Sequence, residues 1–196
     1  VSAGTRVPLA EATRAAEQLA TVLGLGCSRI TIAGSIRRLR PDVGDIELVA
    51  VPRVHTETLR EGLFETRELL VDELQVVLDT LLMDGTLAAH PMDPKRGARY
   101  SKWLHVASGI QLDLFSARPE TYGLALLIRT GSADYSHRFV TQIRGRGWHV
   151  GGGMELHRGP LACADRIAPC EAVPTPEEAD VYRHVRLTFI EPEDRA

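Results

Sequence analysis

Two short stretches set acidic side chains inside strings of β-favouring apolar residues, and they restrict the fold more than anything else in the chain. The first is Gly44-Asp45-Ile46-Glu47, which opens an extended run to Pro52. A strand places every second side chain on one face, so Asp45 and Glu47 project together while Ile46 and Leu48 face the other way. The second, Ile110-Gln111-Leu112-Asp113-Leu114-Phe115, sets a single acid, Asp113, between apolar residues that point into a core. Two acids side by side on a strand attract a hard metal, and with Asp113 they suit two magnesium ions. Just upstream, Gly34-Ser35-Ile36-Arg37-Arg38 follows a β-rich run over 29–33, a strand-to-helix junction of the kind that binds phosphate. Gly34 lets backbone amides approach phosphate, while Ser35 and Arg38 donate to its oxygens.

The remaining pattern predicts an α+β fold. Residues 8–24 read as a helix, with Pro8 in its first turn, Leu9, Ala12, Ala16, Leu19 and Leu23 on one side, and Gly24 at its end. A helical region is expected over 57–83, where Glu57, Glu61, Glu65, Glu68, Asp72 and Glu73 fit a solvated face. A hairpin over 100–106 and 110–116 turns at Ala107-Ser108-Gly109. After Arg118-Pro119 a second lobe begins, with helices over 121–128 and up to 146 separated by Thr130-Gly131-Ser132. Gly151-Gly152-Gly153 reads as a loop or hairpin turn, a final helix starts at 174–178, and Glu191-Pro192 ends regular structure.

A chain of 196 residues, 44% hydrophobic, buries a core large enough for one compact domain or two small lobes. No run reaches the apolar length of a membrane span, and the first residues lack the order of a signal peptide, so a cytoplasmic protein with no membrane partner is expected. The Arg bias over Lys, which occurs only at Lys95 and Lys102, suggests a G- and C-rich, bacterial or phage source. Domains ahead of Val1 stay open, since the chain carries no initiator Met. Cys27, Cys163 and Cys170 are an odd number, which argues against a disulfide framework and for packing roles in a reducing compartment. Cys163 and Cys170 with His149 and His157 match no common zinc-finger or ribbon spacing. The net charge of -3 opposes nucleic-acid binding, but its distribution permits a basic face, with Arg37, Arg38 and Arg40 beside the acid motif and Arg138, Arg144 and Arg146 in the second lobe.

At this point the chain resembles the DNA polymerase β or X family of nucleotidyltransferases. The resemblance rests on Thr5-Arg6-Val7-Pro8, Ala33-Gly34-Ser35 with Arg37-Arg38, Gly44-Asp45-Ile46-Glu47, Leu112-Asp113-Leu114 and Thr130-Gly131-Ser132, in the family's order and near its spacings. Glu177-Glu178-Ala179-Asp180-Val181-Tyr182 and the stretch from Phe189 to Arg195 resemble its closing segment. It implies a nucleotidyltransferase palm over 1–119 and a nucleotide-selecting lobe over 120–196. It also implies a monomeric DNA polymerase that adds deoxynucleotides to a primer 3′ end in repair or gap filling, with two Mg2+ ions for which Mn2+ can substitute. By likeness Asp45, Glu47 and Asp113 hold the metals. Arg6, Gly34, Ser35, Arg38 and Gly44 contact the triphosphate, and Ile128, Arg129, Thr130, Gly131, Ser132 and Ser136 lie near sugar and base. Lys102, Arg138 and Arg144 meet primer-template or gapped DNA. The lyase domain and helix-hairpin-helix elements that usually precede such a palm have no counterpart in these residues, so a weaker grip on DNA is expected.

The chain departs from the family in three places. Glu47 stands where Asp is usual, and its extra methylene shifts the carboxylate oxygens around magnesium. Gln111 replaces an Arg beside the third acid, which predicts a looser Asp113, and Ser136 and Val140 replace Asn and Arg that read the nascent pair. Two other readings stay open: a template-independent nucleotidyltransferase, and a catalytically weak nucleic-acid-binding module. His137 and His149 read as surface or packing residues, Trp103 and Trp148 as core rather than base-stacking groups, and Tyr135 by position lies near the nucleotide sugar.

Overall fold

The computed structural model describes residues 6–61, 65–159 and 170–196. A two-residue strand β1 (Val7–Pro8) leads into α1 (Leu9–Leu23), which buries Ala12, Ala15, Ala16, Leu19 and Leu23 and is capped at Gly24. Then follow β2 (Cys27–Ile32), the single-turn α2 (Gly34–Arg37), β3 (Asp42–Val43) and β4 (Asp45–Pro52). The hairpin β5 (Val54–Glu61) and β6 (Glu65–Asp72) precedes α3 (Glu73–Met83), and β7 (Leu87–Ala89), β8 (Lys95–Gly97), β9 (Tyr100–His105) and β10 (Ile110–Ser116) complete the first half. The second half contains α4 (Tyr122–Thr130), α5 (Ala133–Arg144), β11 (Trp148–Val150), β12 (Leu156–Arg158), β13 (Glu171–Val173) and α6 (Glu178–Val185).

The central sheet runs β2-β4-β10-β9-β7, with β8 also on β9. Its β4–β10 pair is parallel and its β2–β4 and β10–β9 pairs are antiparallel. Alternation divides the side chains between two cores. Ile46, Leu48, Ala50, Ile110, Leu112 and Leu114 face α1 and α3 and pack with Leu74, Leu78, Leu81 and Trp103. Val49, Val51 and Phe115 face the opposite way, onto Tyr122, Ala125 and Leu126 of α4. A third core joins α4, α5, α6 and β12 through Leu124, Leu127, Phe139, Ile143, Leu156, Val181 and Val185. The molecule is therefore mixed α+β, with the main sheet between helices on both faces. Among the described residues no helix is long and apolar enough to cross a membrane.

The expected helix over 57–83 is corrected. Residues 57–61 and 65–72 belong to the β5–β6 hairpin, and only Glu73–Met83 is helical; residues 62–64 lie outside the described ones. The three-to-four-residue spacing of the acids mimics a helical face, but Val54, Thr56 and Thr58 alternate along an extended strand opposite Asp72, Leu70 and Glu68. β-Branched side chains lose χ1 freedom in a helix and fit a pleated strand. Asp72 serves instead as the N-cap of α3, accepting from Gln75 N at 3.2 Å.

Candidate active site

Asp45, Glu47 and Asp113 come together because β4 and β10 run parallel with Asp113 opposite Glu47 and Gln111 opposite Asp45. All three alternate with fully buried apolar residues, so their carboxylates share the face of the sheet away from α1 and α3. On β9 the residue opposite Asp113 is Lys102. Burial is the first cause that raises each acid above its ordinary value. For Asp45 the Asp113 charge adds to it. Glu47, desolvated and facing Asp45 and Asp113, is pushed up to about 8. For Asp113 burial prevails over the opposing effects of Gln111, Lys102, Tyr100 and Arg129. The donor oxygens of the three acids do not all come within 4.8 Å of one another, a spacing reached among the described residues by His149, His157 and Cys170.

The loop above these acids is built around Gly34. Its φ of +61° is costly for residues with a side chain, and a Cβ there would meet Glu47 Oε2 at 1.9 Å. Ala33 N donates to Glu47 O at 2.8 Å and fixes the loop on the strand. Ser35 Oγ, Arg38 Nε and Arg129 Nε are buried without a hydrogen-bond partner. Each such unpaired buried donor costs about 1–3 kcal/mol. Burial lowers the pKa of both Arg38 and Arg129, and the Glu47 charge opposes it in each. Arg129 also lies over the Phe115 ring at 3.9 Å. A cavity of about 190 Å3 lined by Tyr100, Phe115, Arg129 and the 152–154 loop adjoins this corner.

The other expected contacts divide. Pairing of Val7 with Val43 brings exposed Arg6 toward the Asp45 end of the sheet, where its charge acts on that acid; Thr5 lies outside the described residues. Gly44 faces open space, with nothing within 4 Å of where a Cβ would be. Gln111 Nε2 donates to Asp113 Oδ1 at 2.9 Å, so this replacement holds the third acid where a looser one was expected. Thr130 is fully buried, its Oγ1 accepting from Arg37 at 2.7 Å and its carbonyl from Arg38. Gly131 packs under Tyr135, Ser132 Oγ caps α5 by accepting from Tyr135 N at 3.0 Å, and Ser136 Oγ donates to Ile128 O at 2.9 Å. In this form these four shape the α4–α5 turn.

Lys102 is paired with Asp93 at 3.0 Å, Arg138 donates to Ala196 O at 2.5 Å, and Arg144 is exposed at the end of α5. Tyr135 is corrected: it is buried in the second half's core, its hydroxyl 2.6 Å from that of Tyr182. Trp103 lies in the main core and Trp148 at the edge of the second-half one. Arg37, beside the acid motif, and Arg29 of β2 are matched by distant carboxylates. Arg37 pairs with buried Glu178 at 2.6 Å, which also pairs with fully buried Arg195, and Arg29 binds Glu177 at 2.7 Å. These contacts join the two halves and went unforeseen, since a run of arginines reads the same whether its partner is phosphate or a distant carboxylate. Tyr100, opposite Phe115, was also missed; burial and the Asp113 charge push it up to about 12.

The cysteine expectations need correction too. Cys27 is buried, donates to Leu23 O at 3.2 Å, and its thiol is pushed up to about 11 by desolvation. Cys170, by contrast, is disulfide-bonded and sits beside His157, while Cys163 lies outside the described residues. Of the two histidines read as surface or packing residues, His149 is buried and His137 is exposed. No model of a known protein family matches the chain.

Proposed function

We propose that this chain is a minimal DNA polymerase of the β or X type, with a nucleotidyltransferase palm and a nucleotide-selecting second lobe, extending a primer 3′ end in gap filling or repair. The observation that carries the proposal is the single sheet face bearing Asp45, Glu47 and Asp113, with the Gly34 loop set against Glu47 and its Ser35 Oγ and Arg38 Nε unpartnered. An all-oxygen donor set fits a hard cation, and the raised affinity of these acids for protons is the sign of a site short of positive charge. Asp45, Glu47 and Asp113 would hold magnesium, which supplies charge neutralisation on phosphate and favours the deprotonated primer hydroxyl. In the reaction the primer oxygen would bond to the α-phosphorus as the bond to the leaving pyrophosphate breaks, the hydroxyl proton passing to solvent water.

The protein's own contribution is positional. Gly34 brings the loop backbone down onto Glu47 without a side chain in between. Ser35 Oγ and the Arg38 and Arg129 guanidinium groups supply donors to the oxygens of a triphosphate, converting buried unpaired groups into charge-assisted hydrogen bonds. Gln111 fixes the orientation of Asp113. The test is extension of a labelled primer on gapped and on single-stranded DNA with Mg2+ or Mn2+, comparing wild type with Asp113→Asn. Templated addition in wild type, reduced by at least about a thousandfold in the variant, is the expected outcome, since the acid acts on the reacting groups. Untemplated addition to single strands would transfer the site to a terminal transferase, and an undiminished Asp113→Asn rate would remove the acid from it.

A further inference from the structure

The small sheet of the second half gathers a set of groups unlike the three acids. His149 of β11 lies directly opposite His157 of β12, and their rings stack with centroids 5.2 Å apart at 11°. His157 is opposite Ala172 of β13, and Cys170 enters this strand just before its first residue. The Cys170 sulfur is 3.2 Å from His157 Nδ1. One donor atom from each of His149, His157 and Cys170 lies within 4.8 Å of the others, with His149 buried and the other two half-buried. On the opposite edge of His157, a Cβ added to Gly151 would meet both His157 Nε2 and Glu155 Oε2 at 2.8 Å. The imidazole and the carboxylate thus converge over a residue that has no side chain to occupy the space.

We propose that, when the Cys170 disulfide is reduced, Cys170, His149 and His157 bind zinc and pin together the three strands that carry them. A tetrahedral zinc with ordinary Zn–S and Zn–N bonds sets sulfur and nitrogen about 3.5 Å apart, close to the separation present here. One thiolate and two imidazoles suit zinc and discriminate against magnesium and calcium, which take oxygen ligands. Ligation through His157 Nδ1 leaves Nε2 toward Glu155, the carboxylate–histidine–metal order that orients a ligand ring. The site also has a mechanical rationale. Each strand of this sheet has three residues, and only Leu156 of them is a buried apolar residue, so metal bonds supply cross-linking that packing does not. A dithiol reductant supplies the two electrons and two protons that open the disulfide, its own sulfurs closing into one. Zinc binding then releases the Cys170 thiol proton to solvent.

The test uses the full chain, reduced, loaded with zinc chloride and dialysed against magnesium buffer, with bound metal measured by mass spectrometry and with cobalt as a spectroscopic substitute. The expected result is about one tightly held zinc per reduced chain and a sulfur-to-cobalt charge-transfer band, both lost on oxidation and in Cys170→Ser and His157→Ala. His157→Cys is expected to retain the metal and intensify the band, which separates loss of a ligand from loss of the fold. Absence of zinc from the reduced wild type, or zinc that survives both Cys170→Ser and His157→Ala, overturns the proposal. So does zinc that disappears in Asp113→Asn instead. Because the readout is metal content, its failure is independent of whether primer extension succeeds.

Discussion

Glu47 concentrates the electrostatics of the acid-bearing face in one side chain. Folding carries it from the ordinary glutamate value of 4.5 to about 8, chiefly by desolvation and then by the charges of Asp45 and Asp113. The folded chain therefore retains a proton that the unfolded chain has released, over the interval between those values. Proton uptake favours folding there, so stability is highest at the acidic end and declines as pH rises through about 8. Thermal melting in the absence of divalent ions should show the melting temperature falling between pH 5 and pH 9 by this contribution, with Glu47→Gln removing it. A wild-type profile no steeper than that of the variant would refute the assignment. In divalent metal the slope should flatten, because bound cations replace the proton. The pairing of Asp45 with Glu47 was legible from strand alternation alone, and their association with Asp113 followed from two similar strings. The proton affinity was not legible, because it depends on how far the folded chain buries Glu47 and brings the Asp45 and Asp113 charges to bear on it.

Among the elements, those with one strong local signal were read correctly and those set by packing were not. The α1 helix has a proline before it, an apolar stripe and a glycine after it, and β4 follows its predicted bounds of Asp45–Pro52. The β9–β10 hairpin turns through Gly109 at a φ of +67°. The β5–β6 hairpin was hidden because period-four acids imitate a helix, whereas the cross-strand pairs that stabilise it, such as Thr56 with Leu70 and Thr58 with Glu68, follow no regular apolar–polar alternation. The seat of α3 was equally invisible. A Cβ on Gly26 would meet Glu73 O, Leu74 Cα and Leu74 N, each at 2.6 Å, so the turn after α1 is pressed onto the backbone that begins α3. Gly26→Ala should displace α3 and cost about 1–3 kcal/mol in urea denaturation, as overpacking of a close interface does. Gly44→Ala, which enters open space, is the matched control, and equal losses for the two would disprove the packing argument.

Across the whole molecule the two halves share the core around Phe115 and Tyr122 and are held by carboxylates of the closing segment. Glu178 receives Arg37 from the α2 turn and Arg195 from the C-terminal segment while only 7% exposed. Replacing it with Gln leaves two guanidinium groups without their countercharge, and about 3–5 kcal/mol of stability should be lost in chemical denaturation. Glu177→Gln, at an exposed ion pair with Arg29, should cost no more than about 1 kcal/mol, and a reversed ranking would refute the network's importance. These neutralised arginines also bear on how the proposed polymerase answers to ionic strength. Each cation already matched by a carboxylate displaces no condensed counterion when a duplex arrives, so Arg29 and Arg37 add nothing to that entropy gain. Binding to gapped DNA should then show a shallow dependence of log affinity on log salt, steepened by roughly one unit where Glu177→Gln liberates Arg29 at the surface.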